Sequence, residues 1–126
     1  MRKSRILIVE DEGVLALEMK EFLEQQGYEV GSPVDSANRV IDEVLSKNID
    51  LIIMDIHLKS FIDGIDAAQR ISIIKPIPVV FLTAYPDSTI KERAMKTRPA
   101  AYLEKPVKME ELLKVIKDTL ERAGAV

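Results

Sequence analysis

The sequence predicts an α/β fold, a three-layer sandwich with five parallel strands between two layers of helices. Three observations predict it. Five short apolar blocks recur along the 126 residues. Segments with helical spacing separate them. Three of the blocks are continuously apolar, the pattern of strands covered by helices on both faces.

The blocks are Ile6-Leu7-Ile8-Val9, Tyr28-Glu29-Val30, Leu51-Ile52-Ile53-Met54, Val79-Val80-Phe81-Leu82 and Ala100-Ala101-Tyr102-Leu103. Each has the length of a strand. After the first come Leu15, Met19, Phe22 and Leu23 at helical spacing, and Gly27 fits the C-terminal cap of that helix. After the second come Ala37, Val40, Ile41, Val44 and Leu45, and after the third Ala67, Ala68, Ile71 and Ile74. The fourth helix, residues 87–97, has only Ile90, Ala94 and Met95 to anchor it and is expected to be mobile. The last carries Met109, Leu112, Leu113, Ile116 and Leu120 on one stripe. Pro76, Pro78, Pro86 and Pro106 fall at element boundaries, where a missing N–H is tolerated. Met19, Met54, Met95 and Met109 read as core filler.

A βα unit repeated five times requires right-handed crossovers and a doubly wound sheet, best fitted by the flavodoxin-like strand order 2-1-3-4-5. Residues 1–126 read as a single domain, without a linker or low-complexity segment.

The formal charge of -3 and pI near 5.3 argue against direct nucleic acid binding and against an anionic membrane surface. Without cysteine there is no disulfide and no thiolate metal site. Residues 1–5 lead into the first strand without a signal-peptide core, and no apolar run approaches the roughly 20 residues of a membrane span. A cytoplasmic protein is expected.

Ligands of such sheets bind beyond the carboxyl ends of the strands, near the switch between strands 1 and 3. Strand 1 runs into Glu10, Asp11 and Glu12, strand 3 into Asp55, strand 4 into Thr83, and strand 5, after Glu104, into Lys105. Asp11 and Asp55 therefore face one another, and like charges that close repel. A hard cation relieves the repulsion, and Mg²⁺ suits one or two carboxylates with water and a phosphate. Asp55 is placed as a nucleophile, with Thr83 and Lys105 able to stabilise a transferring phosphoryl group. Taken alone, an acidic pair after a strand is equally a helix start, the reading preferred for Glu12. Asp63-Gly64 reads as a turn before the third helix.

These residues resemble the receiver domains of two-component response regulators over essentially the whole chain. The resemblance rests on Ile6-Leu7-Ile8-Val9-Glu10-Asp11-Glu12, Met54-Asp55 with Asp63-Gly64 downstream, Phe81-Leu82-Thr83-Ala84 and Tyr102-Leu103-Glu104-Lys105-Pro106. It implies a signalling switch, not a metabolic enzyme. In such a switch Asp55 accepts a phosphoryl group from a sensor histidine kinase or phosphotransfer protein. Asp11, Asp55 and the backbone carbonyl of His57 would hold Mg²⁺, with Glu10 acting through water. Thr83 and Tyr102 would form the switch, and the face of helix 4, strand 5 and helix 5 would meet an output partner or a second copy. Ala84 would leave the site open to the donor, and Lys105-Pro106 would be a cis peptide. The imidazole of His57 is expected to be incidental, and Tyr85 either gates water at the site or is a surface aromatic. Val107 stands where the family more often has phenylalanine, and Glu10 is the longer acid in its slot. No output module is visible, so the downstream target is a separate protein or another part of a longer regulator.

Two rival functions share parts of this pattern. A phosphohydrolase with a nucleophilic aspartate usually needs a second acid two residues on, where this chain has His57. A flavodoxin-like small-molecule binding module needs a glycine- or hydroxyl-rich loop after strand 1, where this chain has acids that repel phosphate. A receiver that signals without phosphate would not fill every catalytic slot.

Overall fold

The computed structural model describes residues 2–124. Five strands, β1 (Arg5–Val9), β2 (Glu29–Val30), β3 (Leu51–Asp55), β4 (Val79–Thr83) and β5 (Ala101–Glu104), alternate with five helices. The helices are α1 (Gly13–Gln25), α2 (Ala37–Ser46), α3 (Gly64–Ile74), α4 (Ser88–Lys96) and α5 (Met109–Arg122). All strand pairs are parallel, in the order β2-β1-β3-β4-β5, the order expected from the sequence.

The pleat divides the apolar strand residues between two cores. Leu7, Val9, Ile52, Met54, Val79 and Phe81 pack on one face with α2, α3 and α4. Ile6, Ile8, Leu51, Ile53, Val80 and Leu82 pack on the other with α1 and α5. Every residue of β3 and β4 is buried, which explains their unbroken apolar sequence: each side chain has a helix to meet on either face. At about 1.5–3 kcal/mol per large apolar side chain removed from water, this double burial fixes the strand ends rigidly. Register then aligns them, with Val9 opposite Met54, Asp55 opposite Leu82 and Thr83 opposite Glu104.

Some expectations shift. β5 runs one residue later than its apolar block, and β2 keeps only Glu29 and Val30, with Tyr28 packed beside it. Leu45 and Met95 are exposed by half or more, so Met95 is not core filler. Both sit just off the stripe that faces the sheet. Gly27 has φ +97°, the left-handed conformation that a helix-ending glycine supplies.

The fourth helix is as thinly anchored as its sequence implies: Ala94 alone in it is buried, with Ile90 packed beside the core. Charge supplements packing. Arg93 reaches across to the start of α3, with Nη1 3.0 Å from Asp63 Oδ2 and Nη2 3.4 Å from Asp66 Oδ1. Burial tends to raise the Asp63 pKa, but hydrogen bonds from the Asp66 N–H and the Arg93 guanidinium outweigh it and hold the carboxyl below its usual range. A depressed carboxyl contributes stability above its unfolded pKa, and that contribution is lost as pH falls through its folded pKa. Acid therefore loosens this tie between α3 and α4.

Candidate functional site

Glu10, Asp11 and Asp55 leave the C-terminal ends of the adjacent strands β1 and β3. Each offers a carboxylate oxygen, and the three oxygens lie within 4.8 Å of one another. Glu10 and Asp55 are buried, at 2% and 3% exposure. Charges so placed are costly unless compensated.

Three backbone N–H groups compensate in part, one for each acid. Glu12 N donates to Glu10 Oε2 at 3.1 Å, and Lys59 N donates to Asp11 Oδ2 at 2.9 Å. His57 N donates to Asp55 Oδ1 at 3.1 Å. Lys105, following β5, brings an ammonium, its Nζ 2.8 Å from Glu10 Oε1 and 3.6 Å from Asp55 Oδ2. Glu12 Oε2 lies at 3.9 Å on the open side, in keeping with a residue at the start of α1. The Lys105-Pro106 peptide is cis.

Three carboxylates against one ammonium leave an excess of negative charge. Burial pushes the Glu10 carboxyl above its usual range, and Asp55 adds to the rise, while Lys105 and the Glu12 N–H oppose it. Burial also disfavours the charged form of Lys105, but Glu10, Asp55 and Glu12 together outweigh it and raise its pKa. The two shifts do not mirror each other because burial wins at Glu10 and the surrounding acids win at Lys105. Glu10 Oε1 is buried, with the Lys105 ammonium 2.8 Å away as its partner. A buried oxygen so placed, beside two further carboxylates, fits a hard divalent cation.

Thr83, at the end of β4, is fully buried. Its hydroxyl accepts from Tyr85 N at 3.1 Å, lies 3.2 Å from Tyr85 O, and is 3.2 Å from His57 Nε2. The His57 ring also meets the Tyr85 ring edge-on, with centroids 4.8 Å apart. The imidazole, expected from the sequence to be incidental, thus contacts Thr83 and Tyr85 beside the site. Tyr85 is an exposed aromatic that also borders the site. Tyr102 packs against the core on the α4 side, its hydroxyl buried without a hydrogen-bond partner among the described residues. Lys91 of α4 lies over its ring at 5.8 Å.

Asp63-Gly64 is more than a turn. Asp63 caps α3, accepting from Asp66 N at 2.9 Å. A Cβ on Gly64 would lie 2.2 Å from the Asp55 carbonyl oxygen, so α3 starts against the backbone of Asp55. Sequence reasoning missed this approach, and the amide of Lys59 as well. Any residue type supplies a backbone N–H, so Lys59 carried no signal.

The chain matches the response regulator receiver domain family over residues 6–117. It is 33% identical over 118 residues to the transcriptional regulatory protein PdtaR of Mycobacterium tuberculosis, covering 94% of this chain and 57% of that protein. To the response regulator ArlR of Staphylococcus aureus it is 34% identical over 119 residues, covering 94% and 53%. The chain thus spans about half the length of these curated relatives. A CheY-like receiver domain from Methanospirillum hungatei superposes with TM-score 0.90 at 26% identity, covering 96% of each chain. A two-component response regulator from Clostridium difficile superposes with TM-score 0.90 at 26% identity, covering 96% of this chain and 98% of that one. No described helix is long and apolar enough to cross a membrane. By sequence, by topology and by the acids, hydroxyl and lysine at its strand ends, this chain belongs to the response regulator receiver domains.

Proposed function

We propose that this receiver domain is a phosphorylation-driven switch in which Asp55 is the phosphoacceptor and Glu10, Asp11, Asp55 and the His57 carbonyl form a Mg²⁺ site. One observation carries the reading: three carboxylate oxygens within 4.8 Å of one another meet at strand ends beside a single lysine. Bound there, Mg²⁺ would neutralise the acids and the oxygens of the incoming phosphoryl group.

The protein's own groups supply the rest. The rigid end of β3 and the His57 N–H hold the Asp55 carboxylate, so that its other oxygen, Oδ2, would attack phosphorus. A bond forms from that oxygen to phosphorus as the bond to the donor breaks, leaving an acyl phosphate. Lys105 is close enough to exchange its contact with Asp55 for one with the phosphoryl oxygens. For the Thr83 hydroxyl to join them it must leave Tyr85 and His57, a change that Tyr102 would follow. The thin packing of α4 and the Lys91 contact with Tyr102 support α4, β5 and α5 as the responding face. The donor would be a sensor histidine kinase or phosphotransfer protein. The output would be a separate partner, a further module or a second copy of this chain. The reading makes the domain a catalyst only of its own phosphorylation and dephosphorylation, in the cytoplasm.

Acetyl phosphate with Mg²⁺ is expected to add one phosphoryl group by intact mass, and a chelator to abolish the addition. Uptake unaffected by the chelator, or none at all, would contradict the proposal.

A further inference from the structure

The segment between β3 and α3 holds two of the three acids through its backbone: His57 N–H on Asp55 and Lys59 N–H on Asp11. Asp11 follows a different strand, β1, and lies 48 residues from Lys59 in sequence. Its carboxylate therefore keeps its orientation only while the Lys59 amide stays where it is. The loop itself needs an anchor.

Ser60 supplies one. Its Oγ donates to Ile62 O at 2.9 Å, which closes the loop on itself, and accepts from Ala37 N at 3.3 Å, which ties the loop to the first turn of α2. The N-terminal N–H groups of a helix have no partner within it, and Ser36, at the usual capping position of α2, makes no side-chain cap bond. Ser60 takes over that capping role from across the fold. One hydroxyl thus joins α2, the loop after the nucleophile and, through the neighbouring Lys59 amide, the Asp11 carboxylate.

We infer that Ser60 is a positioning residue for the metal ligand Asp11, acting by bolting the β3–α3 loop to α2 so that the Lys59 N–H holds the carboxylate. The inference rests on the proposed Mg²⁺ site. Ser60 touches neither metal nor substrate in this scheme. Loss of its hydroxyl frees the loop, releases the Lys59 amide and lets the Asp11 carboxylate rotate away from the other two acids. Groups that orient metal ligands typically change affinity by about 10–100-fold when removed.

The test compares wild type, Ser60→Ala and Ser60→Thr in two measurements. Amide hydrogen exchange on metal-free protein is expected to show faster exchange at Lys59 in Ser60→Ala, and calorimetric titration with MgCl₂ an affinity about tenfold weaker. Ser60→Thr, which keeps the hydroxyl, is expected to restore both. A hydroxyl that served α2 alone would speed exchange at Ala37 and leave Lys59 protection and Mg²⁺ affinity at wild-type values, which would overturn the inference. Absence of Mg²⁺ binding from the wild type would overturn the metal site itself, whereas Lys59 exchange, read without metal, bears on the Ser60 tie alone.

Discussion

Asp55→Asn is expected to take up no phosphoryl group from acetyl phosphate under conditions that label the wild type, yet to remain folded. The carboxamide keeps the shape of the side chain, and its oxygen still accepts the His57 N–H that Asp55 Oδ1 accepts now. It lacks the anionic oxygen proposed to attack phosphorus, and no neighbour substitutes for it: Glu10 is bound to Lys105 and the Glu12 N–H, and Asp11 to the Lys59 N–H. The loss is complete, not graded, because nucleophilic catalysis has no partial form when the nucleophile is absent. Stability moves the other way. Removing one of three converging negative charges relieves repulsion, so the metal-free variant is expected to unfold in urea at a midpoint no lower than wild type. Intact mass and a urea titration check the two halves. Labelling equal to wild type would remove Asp55 from the phosphoacceptor role.

Gly64→Ala is expected to destabilise the fold by about 3 kcal/mol, the upper part of the usual range for overpacking. The added methyl would lie 2.2 Å from the Asp55 carbonyl oxygen, 2.9 Å from Met54 Cγ and 3.0 Å from the Asp55 carbonyl carbon. Two of those neighbours are backbone and cannot turn aside as a side-chain tip can. Relief requires α3 to lift away from β3, which breaks the bond from Gly64 N to Ile56 O, now 2.9 Å, and disturbs the turn that holds Asp55. Gly13 is the control: it also opens a helix, but a Cβ there meets nothing within 4 Å. Urea midpoints of Gly64→Ala and Gly13→Ala should differ widely. Equal midpoints would show that the approach of α3 to Asp55 is slack.

The fold was legible because strands and helices announce themselves by different periods. The unbroken apolar runs at Leu51–Met54 and Val79–Leu82 read as strands covered on both faces, and the alternation pointed to a doubly wound sheet, for which the order 2-1-3-4-5 was the best fit. The site was legible to the extent that it consists of side chains leaving strand ends: Glu10, Asp11, Asp55, Thr83 and Lys105 all lie at the carboxyl edge of the sheet. What escaped was set by backbone positions and long-range approach. The Lys59 amide on Asp11, the Ser60 hydroxyl on α2 and the contact of Gly64 with Asp55 join segments whose proximity no local pattern encodes. The His57 ring escaped for a related reason, since a lone histidine in a loop has no spacing to say which way it points. Exposed Leu45 and Met95 mark the opposite limit: apolar side chains one position off a buried stripe look like part of it.

A calorimetric Mg²⁺ titration of wild type and Asp11→Asn bears most directly on the claim that these acids form one metal site. The account predicts binding to the wild type and an affinity at least about tenfold lower in Asp11→Asn, with the urea midpoint of the metal-free variant preserved. Equal affinity in the two proteins, or no binding to either, would contradict it.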